Sequence, residues 1–204
     1  MMGKSGSVLV GVLCLLVGSA LGADDRVIHA SPGDYREHLA ALGPGDRLRL
    51  DPGVYEDGLP LRGAGGEDSA PVVIEGPSEG PAAVFRARRG ANTVSLVNVS
   101  HVIVRNLVLD GAGLPVAAVR GEATADFNHH VTLEGLTIRG HAASRGIVGI
   151  ASFAPAWGWV IRNNHINGAG TGMYLGNSDG TEPFMGGTIE HNVVENTIGY
   201  NIQI

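Results

Sequence analysis

A repeated segment constrains this chain more than any other feature, because four octapeptides align at nearly constant spacing. They are VRNLVLDG from Val104, LEGLTIRG from Leu133, IRNNHING from Ile161 and IEHNVVEN from Ile189. A shorter match, IEG from Ile74, lies one similar interval before the first. Self-similarity at a fixed period is typical of architectures in which each unit stacks on its neighbours.

The aligned columns indicate how one unit folds. The third column holds residues that mostly tolerate positive φ and predicts a turn: Asn106, Gly135, Asn163 and His191. The eighth column predicts a second turn: Gly111, Gly140, Gly168 and Asn196. Short strand-like segments follow at Gly146, Gly172 and Gly199. A unit of this length with short strands and Gly/Asn corners is typical of one coil of a β-solenoid.

The repeat excludes other periodic folds. A leucine-rich repeat needs a denser leucine pattern, and a β-sandwich would not place the same corner residue in every unit. The 32 glycines have no G-X-Y period, so collagen is excluded as well. We therefore predict an all-β, right-handed parallel β-helix with a short N-terminal capping helix.

Parallel stacking makes two side-chain columns predictable, because stacked residues lie about 4.8 Å apart. The second column should face outward with alternating charge: Arg105, Glu134, Arg162 and Glu190. The fourth column should face inward: Leu107, Leu136, Asn164 and Asn192. Its two amides can satisfy one another from coil to coil, as buried polar groups require.

The segment 1–23 forms a separate unit with the pattern of a secretory signal peptide. Lys4 precedes an apolar run, Val8 to Val17, and small residues follow it up to Ala23. Such a run is too short for a membrane span. Cys14 would leave with this segment, so the predicted domain, residues 24–204, has no cysteine and no lysine. We expect a secreted protein, extracellular or periplasmic, with no membrane association after signal removal.

The segment after the signal peptide predicts the start of the solenoid. Asp34 can cap a short helix from Tyr35 to Leu42, which Gly43-Pro44-Gly45 would end. Arg47 to Leu50 alternates polar and apolar residues, as a half-buried strand does, and Asp51-Pro52-Gly53 predicts a turn.

These motifs resemble the right-handed parallel β-helix, or pectin-lyase-like, superfamily. PGDRLRLDPGVYEDGLPL followed by APVVIEG is similar to the amino-terminal cap and first coil of its alginate-lyase and chondroitinase-B-like branch. The coils from Val102 onward resemble the Asn-rich repeats of the same superfamily. The resemblance implies a secreted protein that acts on or binds polysaccharide, although this fold hosts several activities.

Three function classes follow. A uronate lyase or epimerase needs a cation or amide cluster and a base, and the resembled branch commonly uses a lysine with an arginine. The mature chain has no lysine, so Tyr174 or His165, for example, would have to be the base. The second class is a non-catalytic polysaccharide-binding or surface solenoid. A glycoside hydrolase is less favoured, because it needs carboxylates on neighbouring coils and Asp179 and Glu182 share one loop.

The longest polar insertion, Leu175 to Gly187, predicts the site, because loops on a rigid scaffold commonly carry function. If Leu175 and Ile202 stack inward, Tyr174 and Asn201 project outward side by side, with space beside Gly149. We expect the following roles: catalytic, Tyr174 and Asp179; substrate-binding, Asn177, Glu182, Asn201 and Gln203.

We expect no cofactor and no metal ligands. Ca²⁺ has no clear motif here, and the pair His129-His130 is discounted because adjacent strand residues point to opposite faces. The net charge of −6 disfavours nucleic acid as a partner, which leaves a polysaccharide. The final strand, GYNIQI, is followed by no cap. We therefore expect further coils beyond residue 204 in a longer, monomeric protein, and aggregation of residues 24–204 alone.

Overall fold

The computed structural model describes residues 26–204, which form one short helix and 21 short strands. The helix α1 is Tyr35–Leu39. The strands are β1 Val27–Ala30, β2 Arg47–Leu50, β3 Gly53–Tyr55, β4 Leu59–Arg62, β5 Val72–Glu75, β6 Ala83–Arg86, β7 Val94–Val97, β8 Ser100–Arg105, β9 Leu107–Asp110, β10 Val119–Gly121, β11 Asn128–Glu134, β12 Thr137–His141, β13 Val148–Ser152, β14 Ala156–Trp157, β15 Val160–Arg162, β16 His165–Ala169, β17 Thr171–Leu175, β18 Phe184–Met185, β19 Thr188–Glu190, β20 Val193–Glu195 and β21 Ile202–Gln203.

The strands stack into three sheets that run along the length of a solenoid. The first sheet follows the order β1-β2-β5-β8-β11-β14-β18, with β15 and β19 beside it. The second sheet contains β4, β7, β10, β13, β17 and β21, and the third contains β3, β6, β9, β12, β16 and β20. All pairs between these strands are parallel. The prediction of an all-β parallel solenoid is therefore confirmed.

The turns between the first and third sheets follow the predicted third column. All four residues of that column lie in the left-handed region, with φ between 53° and 61°: Asn106, Gly135, Asn163 and His191. In the eighth column, Gly140, Gly168 and Asn196 also have positive φ. The prediction is wrong for Gly111, where the chain turns one residue later and Ala112 has a φ of 49°.

The predicted charged column is confirmed on the outer face of the first sheet. Arg105, Glu134, Arg162 and Glu190 are register partners on successive strands. The same column continues backward through Glu75 to Arg49. Glu75 is buried and accepts hydrogen bonds from Arg49 at 2.9 Å and from Arg105 at 2.6 Å. Burial alone would raise the pKa of Glu75, but these arginines outweigh it and hold the pKa below its ordinary value.

The interior holds the predicted amide column. Leu107, Leu136 and Asn164 are fully buried, and Asn192 in the last coil is half-buried. The Oδ1 atom of Asn164 accepts from the Leu136 backbone N–H at 2.9 Å, and its Nδ2 atom donates to the Leu133 carbonyl at 2.9 Å. Each amide therefore replaces backbone partners that a corner leaves unpaired.

The amino end begins as predicted, with two corrections. Strand β2 has the expected bounds, but the helix ends at Leu39 rather than Leu42. The side chain of Asp34 makes no capping bond to the helix. Its carboxylate instead accepts from the Ser31 hydroxyl at 2.9 Å and from the Ser31 backbone N–H at 2.7 Å, which lowers the pKa of Asp34.

The last coil exposes apolar side chains at positions that are buried in the coil before it. Ile202 is 44% exposed, whereas its register partner Met173 is fully buried, and Ile204 is 77% exposed. The expectation of further coils stays a prediction. The proposed signal peptide lies outside the described residues. Across residues 26–204, no helix has the length and apolar character that a membrane crossing requires.

Candidate functional site

A groove of about 440 Å³ lies over the second sheet, where β13, β17 and β21 stack. Two of its lining residues, Tyr174 and Gln203, belong to the predicted site, and Ser178 belongs to the predicted loop. Its other polar and aromatic lining residues are Arg145, Phe153, Thr171 and Tyr200. Among the described residues that line it, none carries a carboxylate.

Strand register explains why Tyr174 faces this groove. Inward residues of β17, such as Met173 and Leu175, are buried in the core, so the alternating Tyr174 points outward. Its register partners are Ala151 on one side and Gln203 on the other.

Aromatic rings form the wall of the groove. The Phe153 ring meets the Tyr174 ring edge to face, with centroids 5.2 Å apart. The Arg120 guanidinium lies 4.4 Å from the Phe153 centroid. Such a stack holds the Tyr174 ring in a defined place.

Arg145 supplies the positive charge of the groove. Its guanidinium lies over the Tyr200 ring, 4.7 Å from the centroid, and its stem passes over Gly199, where a Cβ would lie 2.8 Å from Cγ. Within residues 26–204, Arg145 forms no ion pair with a carboxylate. A flat guanidinium with unused donors is suited to bind a carboxylate through two hydrogen bonds.

The predicted loop lies beside the groove, but the side chains of Asn177, Asp179 and Thr181 bond to one another. Asn177 Nδ2 donates to the Thr181 hydroxyl at 2.8 Å, and that hydroxyl donates to Asp179 at 2.7 Å. The Glu182 backbone N–H donates to Asn177 Oδ1 at 2.9 Å. Hydrogen bonds from the Thr181 backbone and hydroxyl lower the pKa of Asp179. This carboxylate is therefore ionised at neutral pH and braces the loop.

The expected contact between Tyr174 and Asn201 is wrong. The register of β21 pairs Ile202 with Met173, so Asn201 lies opposite Gly172, two positions from the expected one. Its Oδ1 atom accepts a hydrogen bond from the Thr197 hydroxyl at 2.7 Å. The expected space beside Gly149 is also absent, because a Cβ there would meet the Gly172 carbonyl at 2.5 Å and the buried Ile166 side chain at 3.1 Å.

The alternative base His165 lies away from the groove. It is on β16 of the third sheet, where its Nε2 atom lies 2.8 Å from Glu195 Oε1. The structure thus groups Tyr174, Gln203 and Ser178, and leaves His165 elsewhere. Sequence reasoning missed Arg145, Phe153 and Tyr200, although Tyr200 lies in the terminal segment GYNIQI and Arg145 precedes GIVGIAS.

A second groove, of about 410 Å³, lies on the first sheet around Glu75, Arg49 and Arg105. Its two arginines already bond to the buried Glu75 carboxylate. Because that carboxylate satisfies part of their charge and donor capacity, this groove is a weaker anion site than the one that contains Arg145.

The rings of His129 and His130 lie on the same side of the sheet, so the expectation that they point to opposite faces is wrong. Their Nδ1 atoms are 2.8 Å apart. His130 has a φ of 50°, and this left-handed residue breaks the alternation of the strand.

The fold is shared with a solved structure, the crystal structure of an alginate lyase from Paenibacillus sp. str. FPU-7. The two superpose with a TM-score of 0.65 and 21% sequence identity over 87% of this chain. This chain spans 64% of the length of that lyase. Neither a protein-family model nor a curated protein matches the sequence. The predicted parallel β-helix fold is therefore confirmed.

Proposed function

We propose that this protein is secreted and binds a uronate-containing polysaccharide in the groove between Arg145 and Tyr174, where it acts as a lyase. The observation that carries the proposal is the Arg145 guanidinium, which is held over the Tyr200 ring with no carboxylate partner in the described chain. A uronate carboxylate would supply that partner, and the aromatic wall would contact the apolar face of a sugar ring.

The reaction is an elimination that conserves atoms. A base removes the proton from the carbon next to the carboxylate, the bond from the adjacent carbon to the glycosidic oxygen breaks, and a double bond forms between the two carbons. The departing oxygen takes up a proton. Arg145 would neutralise the carboxylate and so stabilise the charge that develops when the proton leaves.

Tyr174 is the proposed proton-transfer group. Two tyrosines are among the described residues that line the groove, and Tyr174 is the one that lies on a strand, β17. Its ring is in edge contact with Phe153. Asp179 is unsuited to the role of base, because its hydrogen bonds with Thr181 lower its pKa. Gln203, the register partner of Tyr174, would hydrogen-bond sugar hydroxyls.

The fold neighbour supports the substrate class. That protein is an alginate lyase, and alginate is a polymer of uronates. The sequence pattern of residues 1–23 supports secretion.

Helix α1 is proposed to cap the amino-terminal coil. Its Tyr35 and Leu39 are buried, and the Tyr35 ring meets the Tyr55 ring edge to face at 5.0 Å. The Tyr35 hydroxyl donates to the Gly58 carbonyl. A covered coil end exposes less apolar surface, as terminal repeats of solenoids require.

A non-catalytic binder is the second candidate. It is favoured by the loop chemistry, because Asn177 and Asp179 are both engaged in internal hydrogen bonds. A glycoside hydrolase is disfavoured, since none of the described lining residues of the groove is a carboxylic acid.

The test is incubation of the purified protein with alginate, pectate and glycosaminoglycans. A lyase produces unsaturated uronate ends that absorb in the ultraviolet, a hydrolase produces reducing ends without that absorbance, and a binder produces neither. We expect absorbance with at least one polyuronate, and its loss in Arg145→Ala. Turnover of none of these polymers, together with binding to one of them, would favour the second candidate.

A further inference from the structure

We propose that His101, His129 and His130 bind one divalent transition-metal ion of the zinc class on the outer face of the first sheet. One ring nitrogen from each of the three histidines lies within 4.8 Å of the others. This cluster is on a different sheet from the groove that contains Tyr174, so the inference is independent of the proposed function.

Parallel register brings the three side chains together. His129 pairs with Ser100 and Val131 pairs with Val102, so His130 stacks on His101. Both His101 and His130 have a φ of 50°. The equivalent positions in the next two coils are Gly158 and Gly186, with φ of 65° and 59°.

Glycine is the ordinary residue for this left-handed corner, because it has no Cβ to clash. The chain instead places a histidine there in two successive coils. Here both side chains converge on a third histidine.

The surroundings support and expose the cluster. The His129 ring stacks on the Trp157 ring at 4.5 Å and 10°. Gly158 leaves room for His130, because a Cβ there would lie 2.9 Å from the His130 ring. A cavity of about 210 Å³, lined in part by Asp68, His101 and His130, opens the site to solvent.

The electrostatic surroundings leave the three imidazoles available to bind a cation. Within residues 26–204, no carboxylate pairs with any of the three imidazoles. The Nδ1 atoms of His129 and His130 lie 2.8 Å apart, close enough for both to bind one ion.

Three neutral imidazoles select the metal class. Zn²⁺, Cu²⁺ and Ni²⁺ accept imidazole nitrogen readily, whereas Ca²⁺ and Mg²⁺ prefer oxygen. The His101 and His130 rings are parallel within 6° at 4.5 Å, so one ring must turn to aim at a shared ion. Three protein ligands leave a fourth position open toward the cavity.

The experiment is calorimetric titration of the purified protein with zinc chloride, with calcium chloride as the hard-metal control. The variants are His101→Gly, His130→Gly and His129→Phe. Glycine is the residue that the following coils use at the left-handed corner, and phenylalanine retains a ring against Trp157. His191→Asn is the matched control, because His191 is also exposed with a φ of 53°.

We expect one Zn²⁺ per chain in the wild type and in His191→Asn, and no heat with Ca²⁺. Each of the three cluster variants should weaken the Zn²⁺ affinity at least about tenfold. In NMR spectra, only the cluster imidazoles should shift on binding. Absence of one-to-one Zn²⁺ binding, or equal affinity in His130→Gly and wild type, would overturn the proposal.

Discussion

Asn164 and Asn192 form a direct amide pair between the last two coils: Asn164 Nδ2 donates to Asn192 Oδ1 at 2.9 Å. The same Oδ1 atom accepts from the Asn164 backbone N–H at 3.0 Å. Asn192 Nδ2 donates in turn to the Ile161 carbonyl at 2.8 Å. The corner of the solenoid is thus joined from coil to coil by side chains rather than by backbone alone.

Asn164→Ala is expected to destabilise the protein by about 1–3 kcal/mol, because it leaves buried backbone groups without partners. The Leu136 N–H loses its acceptor and the Leu133 carbonyl loses a donor. The measurement is the free energy of unfolding in urea. Thr137→Ala is the control, since Thr137 is exposed and adjacent to Leu136. Equal stability losses in the two variants would contradict the buried role of Asn164.

Glu75→Gln is expected to lower stability at neutral pH by about 1.5–3 kcal/mol, the usual range for hydrogen bonds to a charged group. The variant keeps the shape of the side chain but loses the charge that pairs with Arg47, Arg49 and Arg105. Urea unfolding at pH 7 measures the loss. Glu56→Gln is the control, because its pair with Arg86 is exposed and 3.5 Å long.

The pH dependence has a definite sign. The folded-state pKa of Glu75 is lowered, so its contribution is fully present above the unfolded-state pKa of about 4.3 and is lost as the pH falls through the lower folded value. Wild type and Glu75→Gln should therefore converge in stability in strong acid. A stability difference that does not shrink with acid would argue against an ionised Glu75.

Ala112→Gly is expected to stabilise the protein by about 1 kcal/mol, because an L-residue with positive φ costs about 1–2 kcal/mol that glycine avoids. Ala112 has a φ of 49° and is exposed. Ala143→Gly, at an exposed position without positive φ, should instead destabilise slightly. Thermal melts compare the two variants, and shifts of the same sign would contradict the prediction.

In the four aligned units, the strands of the first and third sheets were predictable from sequence because a corner of only one or two residues separates them. Asn106, Gly135, Asn163 and His191 each turn the chain at the same place in the repeat, so the repeat specifies register directly. The charged and amide columns follow from that register. Among the residues of the two predicted corner columns, only at Gly111 does the turn shift by one position, to Ala112.

The second sheet was less predictable because its flanking loops vary in length. The chain between the register partners Met173 and Ile202 is longer than the chain between the partners Ile150 and Met173. The spacing between successive strands of this sheet is therefore not constant, and the sequence does not fix how GYNIQI pairs with GMYLGN. For this reason Asn201 was predicted beside Tyr174 but lies beside Gly172, two positions away. Arg145 and Tyr200 meet only through this register, which explains why sequence reasoning missed them.

Tyr174→Phe tests the role of the phenol. The variant keeps the ring that contacts Phe153 and removes only the hydroxyl. If Tyr174 transfers the proton, turnover of the polyuronate should fall about 10²- to 10⁴-fold, while its Kd stays within about twofold. The matched variant Tyr200→Phe should retain turnover, because its ring still supports Arg145. Full turnover in Tyr174→Phe would assign proton transfer to another group.

The most direct test of uronate binding by Arg145 is calorimetric titration of a uronate oligosaccharide into wild type, Arg145→Ala and Arg89→Ala. Arg89 is the matched control, since it is exposed, forms no ion pair in residues 26–204 and does not line the groove. We predict that wild type and Arg89→Ala bind the oligosaccharide with equal affinity. The affinity of Arg145→Ala should be lower by at least about tenfold, because this variant loses one charged contact with the uronate carboxylate. Equal affinity in all three proteins, or no uronate binding by the wild type, would contradict this role of Arg145.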